Sequence, residues 1–394
     1  MAEAFIVDAV RTAGARKGGR LSGWHPADLA AAVLDALVAR TGIDPAAIED
    51  VIMGCVGQAG EQSNNVARNA VLASRLPESV PATSVDRQCG SSQQALHFAA
   101  QAVMAGSMDV VIAAGVESMT RVPMGLPATL PFKHGFGSYM SPAMQARYPQ
   151  VQFSQFAGAE RLAVKYELDR DELDDYALRS HQRASEATRA GNFNAETLPL
   201  PTRTAEGVTT EQVHAIDEGI RFDATREGIG AVKLLQEGGR HTAATASQIC
   251  DGAAALLVVN ERGLKLLGSA AKPLARVHQM TVVGHDPVIM LEAPIPATPI
   301  ALRKAGLRLD DIDLFEINEA FASVPLAWLK STGANNARLN ASGGAIALGH
   351  PLGASGAKLM TTLVHALRRT GKRYGMQSMC EGGGLANVTI VERL

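Results

Sequence analysis

The chain spells out a helix–cap–strand unit twice at one spacing, and that repeat limits the folds open to it. In "RTGIDPAAIEDVIMGCV" from Arg40 and "KAGLRLDDIDLFEINEA" from Lys304, Gly42 recurs as Gly306 and Ile48 as Ile312, each 264 residues on. Both segments read as the end of a helix, a glycine cap, a short turn and an apolar strand. Upstream, "PADLAAAVLDALVAR" and "ATPIALRKAG" each suit a helix covering that strand. A second unit follows in each copy. "SSQQALHFAAQAVMAGSMDVVIAAG" puts Leu96, Ala99 and Val103 on one helix face, stops at Gly106 and predicts a strand over 110–114. "SGAKLMTTLVHALRRTGKRYGMQSMC" puts Leu359, Leu363 and Leu367 on one face, stops at Gly371 and predicts a strand running to Cys380. Two similar α/β halves are expected, with parallel or mixed sheets and helices on their faces.

At 394 residues the chain exceeds what one compact core accommodates. "MAEAFIVDAVRTAG" reads as an opening strand rather than a signal peptide. Residues 119–249 carry no copy of the repeat. They combine a loop-rich stretch, "TRVPMGLPATLPFKHGFGSYMSPAMQARYPQ", with a polar helical one, "DRDELDDYALRSHQRASEATRAG". Long loops inside compact enzymes usually bind or cover something. The expected division is 1–118 as the N-terminal half, with 250–270 returning to it, 119–249 as a loop domain, and 271–394 as the C-terminal half.

Net charge is −2, which gives no footprint for nucleic acid or a membrane surface. No stretch reaches the roughly 18 apolar residues of a membrane span. Cys55, Cys89, Cys250 and Cys380 are widely spaced and form no CxxC pair, so neither a metal site nor a disulfide framework is expected. A reducing, cytoplasmic setting fits best.

Four short segments fall at the ends of predicted strands, where open α/β sheets place their sites: "DRQCGSS" with Cys89, "EINEAFA" with Asn318 and Glu319, "GGAIALGHPLGASGA" with His350, and "MCEGGGLAN" with Cys380. Cys89 could be a core residue, but Arg87 and Gln88 directly before it argue against a wholly apolar setting. A helix start instead favours a thiolate. His350 lies in a turn between Gly349 and Pro351, and five glycines between 343 and 356 suit a backbone that approaches something closely. The stretch fits neither common nucleotide-phosphate loop. Cys55 and Cys250 sit in apolar strand contexts and read as core.

Two thiols, an imidazole and an amide suit carbon–carbon bond chemistry at a thioester. A thiolate exchanges at an acyl carbon with little energy change. A histidine takes its proton, and a second, weakly acidic thiol moves a proton on or off an enolate carbon. Glycine-rich backbone and an Asn-held water supply oxyanion donors.

These four segments resemble those of the thiolase family, and the resemblance spans essentially the whole chain. It implies a duplicated, five-layered α-β-α-β-α fold with an inserted loop domain, and a homodimer or homotetramer. By that resemblance Cys89 carries the acyl group, His350 activates it, Cys380 exchanges the substrate proton, and Asn318 holds a water that forms one oxyanion hole with His350. The backbone N–H groups of Cys89 and Gly382 form the other. No permanent cofactor is implied. Coenzyme A is a co-substrate, with Arg221 of "DEGIRFDAT" beside the adenine and Ser247 of "TASQICDGAAA" on the pantetheine. The implied reaction is ping-pong thiolysis of 3-ketoacyl-CoA to acetyl-CoA and a shortened acyl-CoA.

Three segments depart from the short-chain pattern of the family. Ser154 and Gln155 of "FSQFAGAERLA" replace a His-Met pair that narrows the pocket. Leu291 and Glu292 follow Met290, and Gln93 and Gln94 lie under the nucleophile. The expectation is a degradative enzyme for longer or bulkier acyl groups. The alternatives are a short-chain acetyltransferase whose pocket Phe153 or Phe156 refills, a non-catalytic CoA- or lipid-binding relative, and a redox sensor pairing Cys89 with Cys380.

Overall fold

The computed structural model describes residues 2–268 and 272–394, so the expected boundary between 270 and 271 lies outside the described residues. In chain order the elements that position the site are β1 (Phe5–Thr12), α1 (Pro26–Thr41), β2 (Asp50–Gly54), β3 (Ala82–Val85), α2 (Ser91–Ala105), β4 (Val110–Ser118), α3 (Gln155–Lys165), α4 (Arg170–Arg189), β5 (Cys250–Val259), β6 (Ala275–Gly284), α5 (Pro294–Ala305), β7 (Leu314–Ile317), α6 (Ser323–Thr332), α7 (Ser355–Thr370), β8 (Tyr374–Glu381) and β9 (Leu385–Arg393).

The repeat is visible at the level of backbone angles. Helices α1, α2, α5 and α7 all end on a left-handed glycine, namely Gly42, Gly106, Gly306 and Gly371, with φ between 66° and 73°. A side chain there would meet the steric penalty that glycine escapes. After Gly42 and Gly306 the chain makes one 3₁₀ turn, Pro45–Ala47 and Leu309–Asp311, before β2 and β7.

The strands run β7-β8-β9-β6-β1-β5-β4-β2-β3. From its middle outward the sheet reads the same in both directions. β1 and β6 pair antiparallel with β5 and β9, which pair antiparallel with β4 and β8, which pair parallel with β2 and β7. The two halves meet where β1 and β6 pair, at Phe5 with Arg276 and Ile6 with Ala275. One difference stands out. β3 pairs parallel with β2, whereas its counterpart in the C-terminal half is a single parallel bridge between Phe315 and Leu339.

Five layers result. Helix α1 covers one sheet face of the N-terminal half and α5 covers one of the C-terminal half, while α2 and α7 lie between the halves; α7 touches strands of both. Its residues from Ser355 to Leu367 are all buried. The inserted stretch is less loop-rich than its composition suggests: Leu126–Lys133 and Pro142–Arg147 are short, exposed helices, each started by proline in the first turn. Helix α4 begins with a capping box at Asp169 and Glu172. No described helix is long and apolar enough to cross a membrane.

Candidate active site

The nucleophile segment is a tight turn closed by its own atoms. After β3, Gln88 takes φ 49°, a left-handed value for a non-glycine residue. Its N–H donates to Asp86 Oδ1 at 2.8 Å, the Arg87 N–H donates to Ser91 Oγ at 2.9 Å, and Ser91 Oγ donates to the Gln88 carbonyl at 2.6 Å. Cys89 thus stands one residue before the N-cap, Gly90, of α2. The expected thiolate does not follow. Burial pushes the Cys89 thiol up to about 12, the Glu381 carboxylate acts in the same direction, and the favourable backbone N–H does not offset them. The resting group is a thiol that needs a base.

His350 presents a buried imidazole with one unpartnered nitrogen among the described residues. Its Nδ1 lies 2.5 Å from Ser355 Oγ, and that hydroxyl donates its one proton to the Pro351 carbonyl at 2.9 Å. Ser355 therefore accepts from Nδ1–H, which leaves the lone pair on Nε2. Nε2 is buried and has no partner among the described residues. Burial, with Lys358 nearby, holds the imidazole neutral, with its pKa lowered to about 3.

Long-range bonds hold the His350 loop. Glu117 Oε2, at the end of β4, accepts the Gly353 N–H at 2.9 Å, and Glu319 Oε2 accepts the Ile346 N–H at 3.0 Å. Lys358 Nζ donates to the Leu348 and Gly349 carbonyls and pairs with Asp217 at 3.2 Å. The His350 N–H donates to the Gln248 carbonyl at 3.0 Å, and Gln248 Nε2 donates to the Ile346 and Gly219 carbonyls.

The other segments converge on these two. Cys380 is the penultimate residue of β8, is buried, and is pushed well above the usual thiol range by burial, with the Cys89 thiol acting on it next. Cys89 packs with Met379 and Leu352, the neighbours of Cys380 and of the His350 turn. A Cβ at Gly382 would come 3.0 Å from Gln88 Oε1, which places the Gly382 backbone against the nucleophile turn. The Asn318 N–H donates to the Ser378 carbonyl at 3.0 Å, so Asn318 lies beside β8 just short of Cys380. Both polar atoms of its amide are buried without a partner among the described residues. A cavity of about 10 Å³ touches Asn318, Ser355 and Lys358, room on the order of one water.

Ser247 joins this group, its N–H donating to the Ala320 carbonyl at 2.9 Å. Arg221 stands further out, exposed, with its N–H on His181 Nδ1 at 3.2 Å. Cys55 and Cys250 are buried, as their strand contexts indicate, and both back the His350 loop: a Cβ at Gly353 would meet Cys55, and one at Gly349 would meet Cys250 Sγ. Gln93 and Gln94 are buried under the nucleophile and bond Thr389 and Asn387. Glu292 turns away from the site to Lys165, His285 and Tyr166, beside a cavity of about 560 Å³ that shares no residue with the four segments. The sequence pattern named Glu319 beside Asn318 but passed over Ser355, Glu117 and Lys358. For Glu117 and Lys358 the signal was a charge inside an apolar strand or helix face.

Two family profiles match nearly the whole chain, the thiolase N-terminal domain over residues 4–262 and the thiolase C-terminal domain over residues 271–393. The chain belongs to the thiolase family. A steroid 3-ketoacyl-CoA thiolase of Mycobacterium tuberculosis is 50% identical, over all of this chain and 95% of that one. A 3-ketoacyl-CoA thiolase of Cronobacter sakazakii is 42% identical over the full length of both. Among solved structures, human mitochondrial 3-ketoacyl-CoA thiolase superposes with a TM-score of 0.88 and Bacillus anthracis acetyl-CoA acetyltransferase with 0.90, each at 35% identity and covering 100% of this chain and 99% of that one. As a thiolase, this chain is an acyltransferase.

Proposed function

We propose that this thiolase cleaves 3-ketoacyl-CoA esters of bulky, steroid-like acyl groups through an acyl-Cys89 intermediate. The observation that carries the substrate class is the stretch Met124, Leu130, Phe132, Phe136, Tyr139 and Phe156, which leaves large apolar side chains exposed around the inserted domain. The identity to a relative named for steroid substrates supports it. Phe156 stands edge-on to Phe321, three residues past Asn318, at 5.5 Å, and Phe153 packs on Tyr148 at 5.3 Å. Ser154 is occupied in capping α3. On this reading these side chains would form a wall beside the site rather than a plug in it.

Each step then has a group. His350 Nε2 takes the Cys89 proton as Sγ bonds to the ketone carbon of the substrate. The bond between that carbon and the acetyl-CoA unit breaks, and Cys380 gives its proton to the departing carbanion. The thiol of coenzyme A returns a proton to Cys380 and attacks the acyl carbon, which releases Cys89 to recover its proton from His350. Asn318, through a water, would stabilise one oxyanion with His350, and the N–H groups of Cys89 and Gly382 the other. Arg221 and Ser247 would hold coenzyme A along the inserted domain, which with the halves 1–118 and 271–394 makes up the working unit. The open edge at β3 supports self-association as a dimer or tetramer. Four free thiols suit a reducing, cytoplasmic compartment.

The test compares kcat/KM for CoA-dependent cleavage of acetoacetyl-CoA, of a linear 3-ketoacyl-CoA of about ten carbons, and of a 3-ketoacyl-CoA bearing fused rings. Preference for the ring-bearing ester is expected, and a preference for acetoacetyl-CoA overturns the substrate class. Cys89→Ala should lower kcat by at least about 10³-fold, and His350→Ala by about 10²- to 10⁴-fold.

A further inference from the structure

An acid that the steps above leave unused lies beside the two thiols. Glu381 follows Cys380 in β8, so its side chain leaves the opposite face of that strand. It is fully buried. Oε1 accepts the Asn387 N–H at 3.1 Å, while Oε2 has no partner among the described residues. The carboxyl fills the space in which a Cβ on Gly90 would stand, so it rests directly against the turn that presents Cys89. Arg87, two residues before Cys89, also has a buried Nε without a partner. Its charge reaches Glu381 without closing an ion pair.

We propose that Glu381 is a positioning residue whose proton sets when Cys89 can ionise. With the proton on, the carboxyl leaves Cys89 free to pass its proton to His350. With the proton off, a carboxylate faces the incipient thiolate across a dry contact and opposes it. The inference rests on Cys89 as the nucleophile.

A buried acid with an unfilled oxygen has little to stabilise its charge, and burial raises Glu381 to about 8, against the downward pull of Arg87. Its ionisation therefore falls within the range in which a thiol enzyme works. Among charged neighbours Glu381 acts on Cys89 ahead of Glu117 and Asp86, and it acts on Cys380 as well. The groups facing it are Arg87 and Cys89 from the nucleophile turn, Cys380 from its own strand, and His97 of α2, which is bonded to Asn387 and held neutral by burial. Arg87 and the Asn387 N–H favour the carboxylate, and burial outweighs them.

The experiment measures alkylation of Cys89 by iodoacetamide from pH 6.5 to 10, with the modified peptide identified by mass, alongside the pH profile of kcat. Wild type, Glu381→Gln and Arg87→Gln are compared. Glu381→Gln keeps an oxygen for the Asn387 N–H and removes the charge. It should leave the alkylation rate unchanged below about pH 8, where Glu381 is protonated, and raise it about tenfold between pH 9 and 10, where the wild-type carboxylate opposes the thiolate. It should also abolish an alkaline fall in kcat that wild type shows near pH 8. Arg87→Gln leaves Glu381 in place but removes its cation, and should move that fall to higher pH. Should Glu381→Gln fail to fold, the Arg87→Gln profile decides alone. Coincident profiles with Cys89 alkylated overturn the role of Glu381 only. Absence of Cys89 alkylation in every variant, with turnover intact, overturns both this role and the nucleophile assignment.

Discussion

The two halves solve the same connection differently. In each, the chain must pass from the outermost strand position to the N-terminus of a central helix. From Ala82, opposite Val51, the N-terminal half does so in eight residues, 83–90. From Leu339, opposite Phe315, the C-terminal half takes fifteen, 340–354. The short turn is held by bonds among its own residues and by one left-handed residue, Gln88. The long one is held by side chains from β4, α7 and the segments around Gln248 and Glu319. A thiol at a fixed distance from a helix start needs only local geometry. A neutral imidazole with one bare nitrogen, deep between two sheets, needs its loop fastened from several sides.

That contrast can be broken. Glu117 accepts N–H bonds from Val56, Gly57 and Gly353 and one from the Gln62 side chain. Glu117→Ala strands these donors in a buried place, at about 1–3 kcal/mol each. A loss of about 3 kcal/mol or more is expected by denaturant titration, together with a fall in kcat as His350 shifts. An unchanged midpoint would mean that the long loop holds itself as the short turn does.

Acid probes both halves at once. His97 in α2 and His350 in the long loop are each lowered to about 3 from 6.5. The unfolded chain binds their protons first, so stability is full above pH 6.5 and falls as pH drops towards 3. Each contributes about 1.4 kcal/mol per pH unit within that window. His97→Gln should make the acid slope shallower by one such share, as read from stability at pH 7 and pH 5. A parallel slope would show that His97 titrates alike folded and unfolded.

The smallest effect belongs to the short turn. Gln88→Gly removes the left-handed penalty at φ 49° but adds freedom to the unfolded chain. The two nearly cancel, so stability should change by under about 1 kcal/mol. Alkylation of Cys89 sharpens the test, because a loosened turn should alter its rate more than it alters stability.

Much of this was readable in the chain. The glycine caps at Gly42, Gly106, Gly306 and Gly371, and the strand-end placing of Cys89, Asn318 and Cys380, follow from local rules, whereas His350 follows a short helix, Ala345–Leu348, and not the expected strand. What was not readable is long-range. Glu117 and Gly353 lie 236 residues apart, and nothing near either names the other. The protonated state of Cys89 escaped for a related reason: the helix start is local, but the burial and the Glu381 charge that outweigh it come from the far half. The missing strand opposite β7 was equally hidden, since its place is taken by loop residues with no strand pattern.

The order of the sheet has a consequence for how the polypeptide is made. β5, which lies between β1 and β4, leaves the ribosome only after residues 119–249, and α7, which touches strands of both halves, comes later still. The first 118 residues therefore emerge with their inner surface bare and must wait through most of synthesis for the pieces that cover it. Contacts so distant in sequence fold slowly and leave apolar strands open to wrong partners meanwhile. A chain built this way should lean on chaperones while it is being translated, and truncation even near its C-terminus should leave the N-terminal half unable to stand alone.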